Sequence, residues 1–133
     1  MGGIITGSGK NLMLHRLYTD SPTDSAVTVF MIGTGTADPV ETGTQLNLPI
    51  PDWNASTGTK TFTSTTHNRT IQQMEARGFI ASTQGSGEAL AEVGEFNQDT
   101  NAVMMSHDTF SAFTKTNTEE IAVIWVHDTD SSE

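Results

Sequence analysis

The last third of the chain, residues 77–128, places the strongest constraint on its fold. Short apolar segments alternate there with turns rich in Gly, Asn and Asp, and the region ends in the most apolar run of the protein, residues 121–126. Apolar stretches of roughly four to eight residues bounded by turn residues are typical of strands. The region is therefore predicted to form four strands, with residues 121–126 at the centre of a sheet. Deleting that run is expected to abolish folding.

A hairpin is predicted inside this region. Residues 90–96 and 102–106 have strand patterns, and residues 97–101 between them carry Asn and Asp. Both residue types tolerate the left-handed backbone that tight turns require. Residues 84–87 are predicted to form a loop, because two of the four are glycines.

The amino-terminal region is predicted to contain the one good helix of the chain, from residue 10 to residue 18. Leu14, Leu17 and Tyr18 fall on one face at helical spacing, and Ser8 or Asn11 is the expected cap. The turn-rich segment that follows, residues 19–25, is predicted to be a loop.

The middle of the chain is predicted to supply further strands. Residues 26–32 have a buried-strand pattern that ends at two glycines, whereas prolines confine residues 45–50 to a sheet edge or a loop. The Thr-rich segment 58–66 favours an extended backbone, and its few apolar residues indicate a strand that is exposed or covered by another subunit. Residues 70–82 are also predicted to be extended.

Together these segments predict an all-β fold: an antiparallel β-sandwich or a partly open barrel with one short N-terminal helix. A chain of 133 residues is most simply one domain. Within it, residues 1–25 are expected to form an N-terminal helix or arm, and residues 128–133 a solvated tail.

Composition narrows the possible functions. Only 35% of the residues are apolar, which predicts a thin core or one that neighbouring chains complete. Without cysteine, the chain has no disulfide, no Cys-based zinc site and no thiol nucleophile. The net charge is −10 and the six Lys and Arg residues are scattered, so nucleic acid is not an expected partner. No apolar segment is long enough for a membrane span, the amino terminus lacks a secretory pattern, and no membrane anchor is expected.

Two segments of the sequence resemble parts of known catalytic or binding motifs: a phosphate-binding loop and a catalytic triad. Residues 7–10 resemble part of a phosphate loop, but Ile4 and Asn11 stand where that motif needs Gly and Ser or Thr. A triad of Ser86, His107 and Asp108 is conceivable, although no nucleophile elbow surrounds the serine. No catalytic and no cofactor-binding residue is predicted, and no cofactor is expected.

Histidines and carboxylates were the remaining candidates. His107 and His127 are each followed by Asp, and these two His-Asp pairs could converge on a metal ion if their strands were neighbours. Histidines at the solvated rim of a sheet are the simpler interpretation. No metal ligand is therefore predicted. Glu92 and Glu95 are three residues apart on a strand and should point to opposite faces, which argues against a glycosidase pair. Trp125 lies in the apolar run and is expected in the core.

The helix start at 9–16 and the Gly-Thr-Gly-Thr turn at 33–36 resemble the amino-terminal part of small structural proteins of tailed bacteriophages. The segments 92–99 and 113–116 resemble elements of tail-collar and tail-fibre proteins. The resemblance covers most of the chain, and Glu95 stands where that family usually has an apolar residue. It implies a β-rich, non-enzymatic, virion-bound protein that is present in several copies.

The leading functional prediction is therefore a non-enzymatic virion structural protein in the tail fibre or host-adhesion device. Its expected partners are copies of itself and other virion proteins of the tail or capsid, with a host surface glycan as a further candidate, and its expected location is the virion. One alternative is a capsid decoration protein on the outside of the head. An alternative of another class is a carbohydrate-binding module that uses Trp53 in a Pro-rich loop as an exposed aromatic.

Overall fold

The computed structural model describes residues 2–20, 23–98 and 102–128 of the chain. Two antiparallel sheets and one helix make up the fold, and the sheets are not closed into a barrel, so the sandwich form of the predicted all-β class is the one observed. In chain order the elements are β1 (Gly2–Ile5), α1 (Gly7–Tyr18), β2 (Val29–Gly33), β3 (Lys60–Thr61), β4 (Ser64–Asn68), β5 (Gln73–Ile80), β6 (Ala89–Phe96), β7 (Met104–Thr114) and β8 (Ile121–Asp128).

The larger sheet has five strands in the order β1-β7-β6-β2-β3. Its centre is the predicted hairpin, in which β6 pairs with β7 so that Val93 lies opposite Asp108 and Glu95 opposite Ser106. Nearly every residue of β6 is buried, since one face of the strand meets the second sheet and the other is covered by the loop of residues 34–50. The predicted solvated tail, from residue 129 on, and most of the hairpin turn, residues 99–101, lie outside the described residues.

The smaller sheet has three strands in the order β4-β5-β8. The segment 58–66, predicted as one strand, bends at Phe62 and Thr63, so that β3 joins the larger sheet and β4 the smaller one. All of β4 is exposed, which agrees with the scarcity of apolar residues in that segment. The prediction that residues 121–126 form the centre of a sheet is wrong, because β8 lies at the edge and pairs with β5.

Helix α1 begins earlier than the sequence predicted. Thr6 is the N-cap, in place of Ser8 or Asn11, and its hydroxyl oxygen accepts a 2.9 Å hydrogen bond from the amide of Gly9. Residues 7–10, the candidate phosphate loop, are simply the first turn of this helix. The predicted N-terminal arm also contributes β1, which forms the outer strand of the larger sheet beside β7.

The core between the sheets is built around Phe30, which is fully buried. Its ring centroid lies 5.4 Å from that of Trp53, 6.0 Å from that of Phe62 and 5.5 Å from that of Trp125. Trp125 is 4% exposed, which confirms its predicted core position. Gly78 of β5 admits the Phe30 ring, since a Cβ at residue 78 would lie only 2.6 Å from a ring carbon.

Candidate functional site

The candidate triad is not assembled. His107 and Asp108 are consecutive in β7, so their side chains point to opposite faces of the sheet. His107 binds Glu92, and the Ser86 hydroxyl donates a 2.8 Å hydrogen bond to the carbonyl of Ser82. Among the described residues no group of three or more His, Asp or Glu side chains is arranged to hold a metal ion.

The two glutamates of β6 instead form two separate polar centres, on opposite faces of the strand as predicted. Glu92 lies beneath the loop of residues 34–50, on the side of the larger sheet that faces away from the smaller one. Glu95 faces the smaller sheet, where it meets β8. Both are almost completely buried, at 0% and 2% exposure. A buried carboxylate requires compensating donors, so the partners of each define what it does.

Glu92 anchors the long loop to the sheet. Its Oε1 accepts backbone hydrogen bonds from Gly35 at 3.1 Å and Leu48 at 2.7 Å. Its Oε2 accepts from the Asn47 amide at 3.0 Å and lies 2.7 Å from Nε2 of His107, which is 2% exposed. All the acceptor positions of the carboxylate are thus engaged by donors of the protein, and none is left for a substrate or a metal.

Glu95 joins the two sheets. Its Oε2 accepts a 2.8 Å hydrogen bond from Ser106 Oγ of β7 and lies 2.5 Å from Nε2 of His127 in β8. The hydrogen bond to Glu95 raises the pKa of His127 above its ordinary value, against the opposing effect of burial. Burial, followed by the negative charge of Glu95, raises the pKa of the nearby Asp108. The His127–Glu95 contact therefore favours an imidazolium–carboxylate pair that ties β8 to the larger sheet.

The prediction that the histidines lie at a solvated rim is wrong for His107, which is buried, and His127 is only 28% exposed. The sequence does indicate that β6 needs polar partners from elsewhere in the chain, because Glu92 and Glu95 interrupt an otherwise apolar strand that contains no basic residue. Charged residues are almost never fully buried unless paired. The sequence could therefore indicate that partners were needed, but not which residues supplied them.

A cleft of about 590 Å³ opens between the sheets beside this pair. One wall is formed by β8, and the other by β1 and β7, including Ile5, Asp108, Phe110 and Phe113. The cleft is largely apolar, and the indole Nε1 of Trp125, which also lines it, has no hydrogen-bond partner among the described residues. Ser106, Asp108 and His127 also line it, and most of its other lining residues are apolar.

Two apolar surfaces of the described chain face solvent. The first is the exposed face of α1, formed by Met13, Leu14, Leu17 and Tyr18. The second is the outer side of β8, where Ile124 is 47% and Val126 51% exposed. A contiguous patch of exposed apolar side chains is more often an interaction site than single exposed apolar residues are.

Trp53, the candidate glycan-binding aromatic, is not on either surface. It is 4% exposed, packs on Phe30, and its Nε1 donates a 2.8 Å hydrogen bond to the carbonyl of Gly58. The carbohydrate-binding alternative thus loses the residue on which it depended.

No helix in the described part of the chain is both long enough and apolar enough to cross a membrane. Comparison with protein-family models, with curated proteins and with solved structures gives no match to this chain.

Proposed function

We propose that this protein is a non-enzymatic structural subunit that acts by assembling with copies of itself and with other proteins of a virion. The observation that carries the proposal is the orientation of α1, which turns its apolar face to solvent. Along that face Met13 is 47% exposed, Leu14 56%, Leu17 74% and Tyr18 79%. On this helix only Leu12 among the large apolar side chains is buried.

An exposed face of this size carries a free-energy cost that association would remove. Burying one large apolar side chain contributes roughly 1.5–3 kcal/mol, so four together provide ample driving force for an interface. The position of α1 supports the same role, because the helix packs on β7 through the backbone contact of Gly9 with Met105 and leaves its opposite side open.

The polar groups support a structural role as well. Glu92, Glu95 and their histidines are engaged in bonds that join layers of the fold, and Lys115 is buried against backbone carbonyls. A reactive group has to be accessible to a substrate; of these five side chains His127 is 28% exposed, and the other four are at most 2% exposed. Nucleic acid is not among the proposed partners, since the net charge of −10 would repel phosphate.

The setting we propose is the tail of a tailed bacteriophage, in the tail fibre or host-adhesion device, and it follows from the sequence motifs that resemble tail-collar and tail-fibre proteins. Capsid decoration is the second candidate. The exposed α1 face favours it equally, since a decoration protein also needs an apolar patch to seat on its neighbours.

The test is the mass of the protein in solution, measured by light scattering after size exclusion, together with antibody labelling of virions. Wild-type protein should form a discrete oligomer or co-sediment with purified particles, and the double variant Leu14→Ser, Leu17→Ser should do neither while keeping its β-sheet circular dichroism. Ile71→Ser, at a 53% exposed apolar residue in the β4–β5 turn, is the matched control and should behave as wild type. A monomeric wild-type chain that does not label particles would refute the proposal, and the position of the label distinguishes tail from head.

A further inference from the structure

The two sheets differ in width, and the difference leaves one side of the sandwich open. The larger sheet has five strands and the smaller one three, with β8 at its edge. Beyond β8, the inner faces of β7 and β1 form one wall of the cleft with Ile5, Phe110 and Phe113. Phe113 remains 40% exposed. A further strand beside β8 would lie over these residues and close the cleft.

The edge of β8 is suited to receive such a strand. Within the described part of the chain, β8 pairs with β5 alone. Natural edge strands are usually protected by Lys, Pro, a bulge or a covering segment. Residues 121–126 contain neither a charged residue nor a proline, and their pairing with β5 is continuous, without a bulge.

Acidic groups surround this edge and indicate what kind of strand would bind. Glu119 and Glu120 precede β8, Asp128 ends it, and Asp108 lines the cleft. Hydrogen bonds from Thr116 lower the pKa of Glu119, which keeps that carboxylate charged. Neither β8 nor β1 contains Lys or Arg.

The basic residues on β8, opposite it in β5 and shortly before it in the chain are already engaged. Arg77 of β5 lies 2.6 Å from Glu75 in the same strand, and Lys115 donates a 2.8 Å hydrogen bond to the carbonyl of Ser82. His127 is bound to Glu95. Among the described residues, the edge of β8 that does not pair with β5 (the free edge) therefore has an uncharged centre and acidic residues at both ends.

We propose that the free edge of β8 binds an extended segment of another protein that has an apolar centre and basic residues at both ends. Backbone hydrogen bonds along residues 121–126 would supply affinity, and alternate side chains of the added strand would enter the cleft. A second copy of this chain is the less suitable occupant, because antiparallel pairing of two β8 strands brings the acids at the start of one strand near Asp128 of the other. The inference rests on the proposed structural role, but it uses β8 and not α1.

The test uses two synthetic peptides of about ten residues, each with a centre of alternating Val and Thr. One carries two Lys at each end and the other two Glu. Binding to the full chain is measured by fluorescence anisotropy, and amide hydrogen exchange locates the site. The Lys-ended peptide should bind at least tenfold more tightly than the Glu-ended one, with new protection of β8 amides, and its affinity should fall as salt is added.

Variants separate this site from the α1 interface. Glu120→Lys should weaken binding of the Lys-ended peptide several-fold, whereas Asp38→Lys, at an exposed acid of the 34–50 loop, should weaken it much less. The double variant Leu14→Ser, Leu17→Ser should bind the peptide normally, so loss of assembly and loss of peptide binding are distinguishable. Equal binding of both peptides, binding of neither, or protection of β8 only through self-association would each overturn the inference.

Discussion

Replacing Glu92 by Gln should destabilise the protein by about 2–4 kcal/mol, although the two side chains have nearly the same shape. The wild-type carboxylate accepts three backbone hydrogen bonds, from Gly35, Asn47 and Leu48, in addition to its contact with His107. A glutamine amide offers one acceptor oxygen and one NH₂ group. Whichever way the amide is oriented, its NH₂ faces at least one backbone N–H.

The magnitude follows from the number of donors left without an acceptor. If the NH₂ group takes the place of Oε2, the Asn47 amide loses its acceptor, while His107 can change tautomer and accept from the NH₂. If it takes the place of Oε1, the amides of Gly35 and Leu48 both lose theirs, so the first orientation should prevail. The hydrogen bond of the Asn47 amide is only partly buried, so loss of its acceptor costs about 1–2 kcal/mol, and weakening the bonds that were made to a charged group adds about 1 kcal/mol or more.

Thermal unfolding provides the first measurement. For a chain of 133 residues each kcal/mol corresponds to roughly 3–4 °C, so the midpoint should fall by about 6–16 °C. Hydrogen exchange provides the second, since the amides of Gly35, Asn47 and Leu48 should lose protection before those of β5. Glu75→Gln, which disrupts a more exposed ion pair with Arg77, is the control and should change stability by less than about 0.5–1 kcal/mol. A Glu92→Gln protein as stable as wild type, with the loop amides still protected, would refute the role assigned to this carboxylate.

Three further predictions concern His127, Lys115 and Gly78. Because the folded-state pKa of His127 is raised, the native state holds its proton more tightly than the unfolded state does, and this contribution to stability is complete below about pH 6.5 and declines as the pH rises through the folded pKa. The urea midpoint should therefore fall above pH 6.5, and His127→Gln should abolish that pH dependence. An unchanged pH dependence in the variant would contradict the pair with Glu95. Lys115→Ala should destabilise the protein by about 2–4 kcal/mol, because it removes the buried aliphatic part of the side chain together with its hydrogen bonds. Lys115→Met keeps the aliphatic part and should cost clearly less. Equal losses of stability for the two variants in chemical denaturation would refute this assignment. Gly78→Ala should cost about 1–3 kcal/mol in the same assay because its Cβ would collide with the Phe30 ring, and a neutral result would show that the ring can move freely.

Local patterns in the sequence were sufficient to predict the fold class, the β6–β7 hairpin and the core position of Trp125. They failed for the position of β8, because a run that is apolar at every position is compatible both with a central strand and with an edge strand whose outward-facing apolar side chains are exposed. For α1 the spacing of Leu14 and Leu17 correctly identifies one face of the helix, but it does not indicate whether that face meets the core or solvent.

The polar centres could be predicted only in part. Alternation along a strand separates Glu92 from Glu95, and burial of a carboxylate requires donors. The donors come from positions that are remote in sequence, such as Leu48 for Glu92 and His127 for Glu95, 44 and 32 residues away. Three of the four donors to Glu92 are backbone amides. Every residue except proline has a backbone amide, so no pattern in the sequence could identify these three.

The two glutamates of β6 explain how a chain with few apolar residues holds three layers together. Glu92 fixes the 34–50 loop to one side of the larger sheet, and Glu95 with His127 fixes the smaller sheet to the other. Both contacts depend on one buried strand, so a change in either should affect folding. The exposed apolar residues of α1 and β8 lie at the periphery and contribute little to these contacts. Substitutions there should therefore leave the fold intact, so that the proposed assembly can be tested without unfolding the subunit.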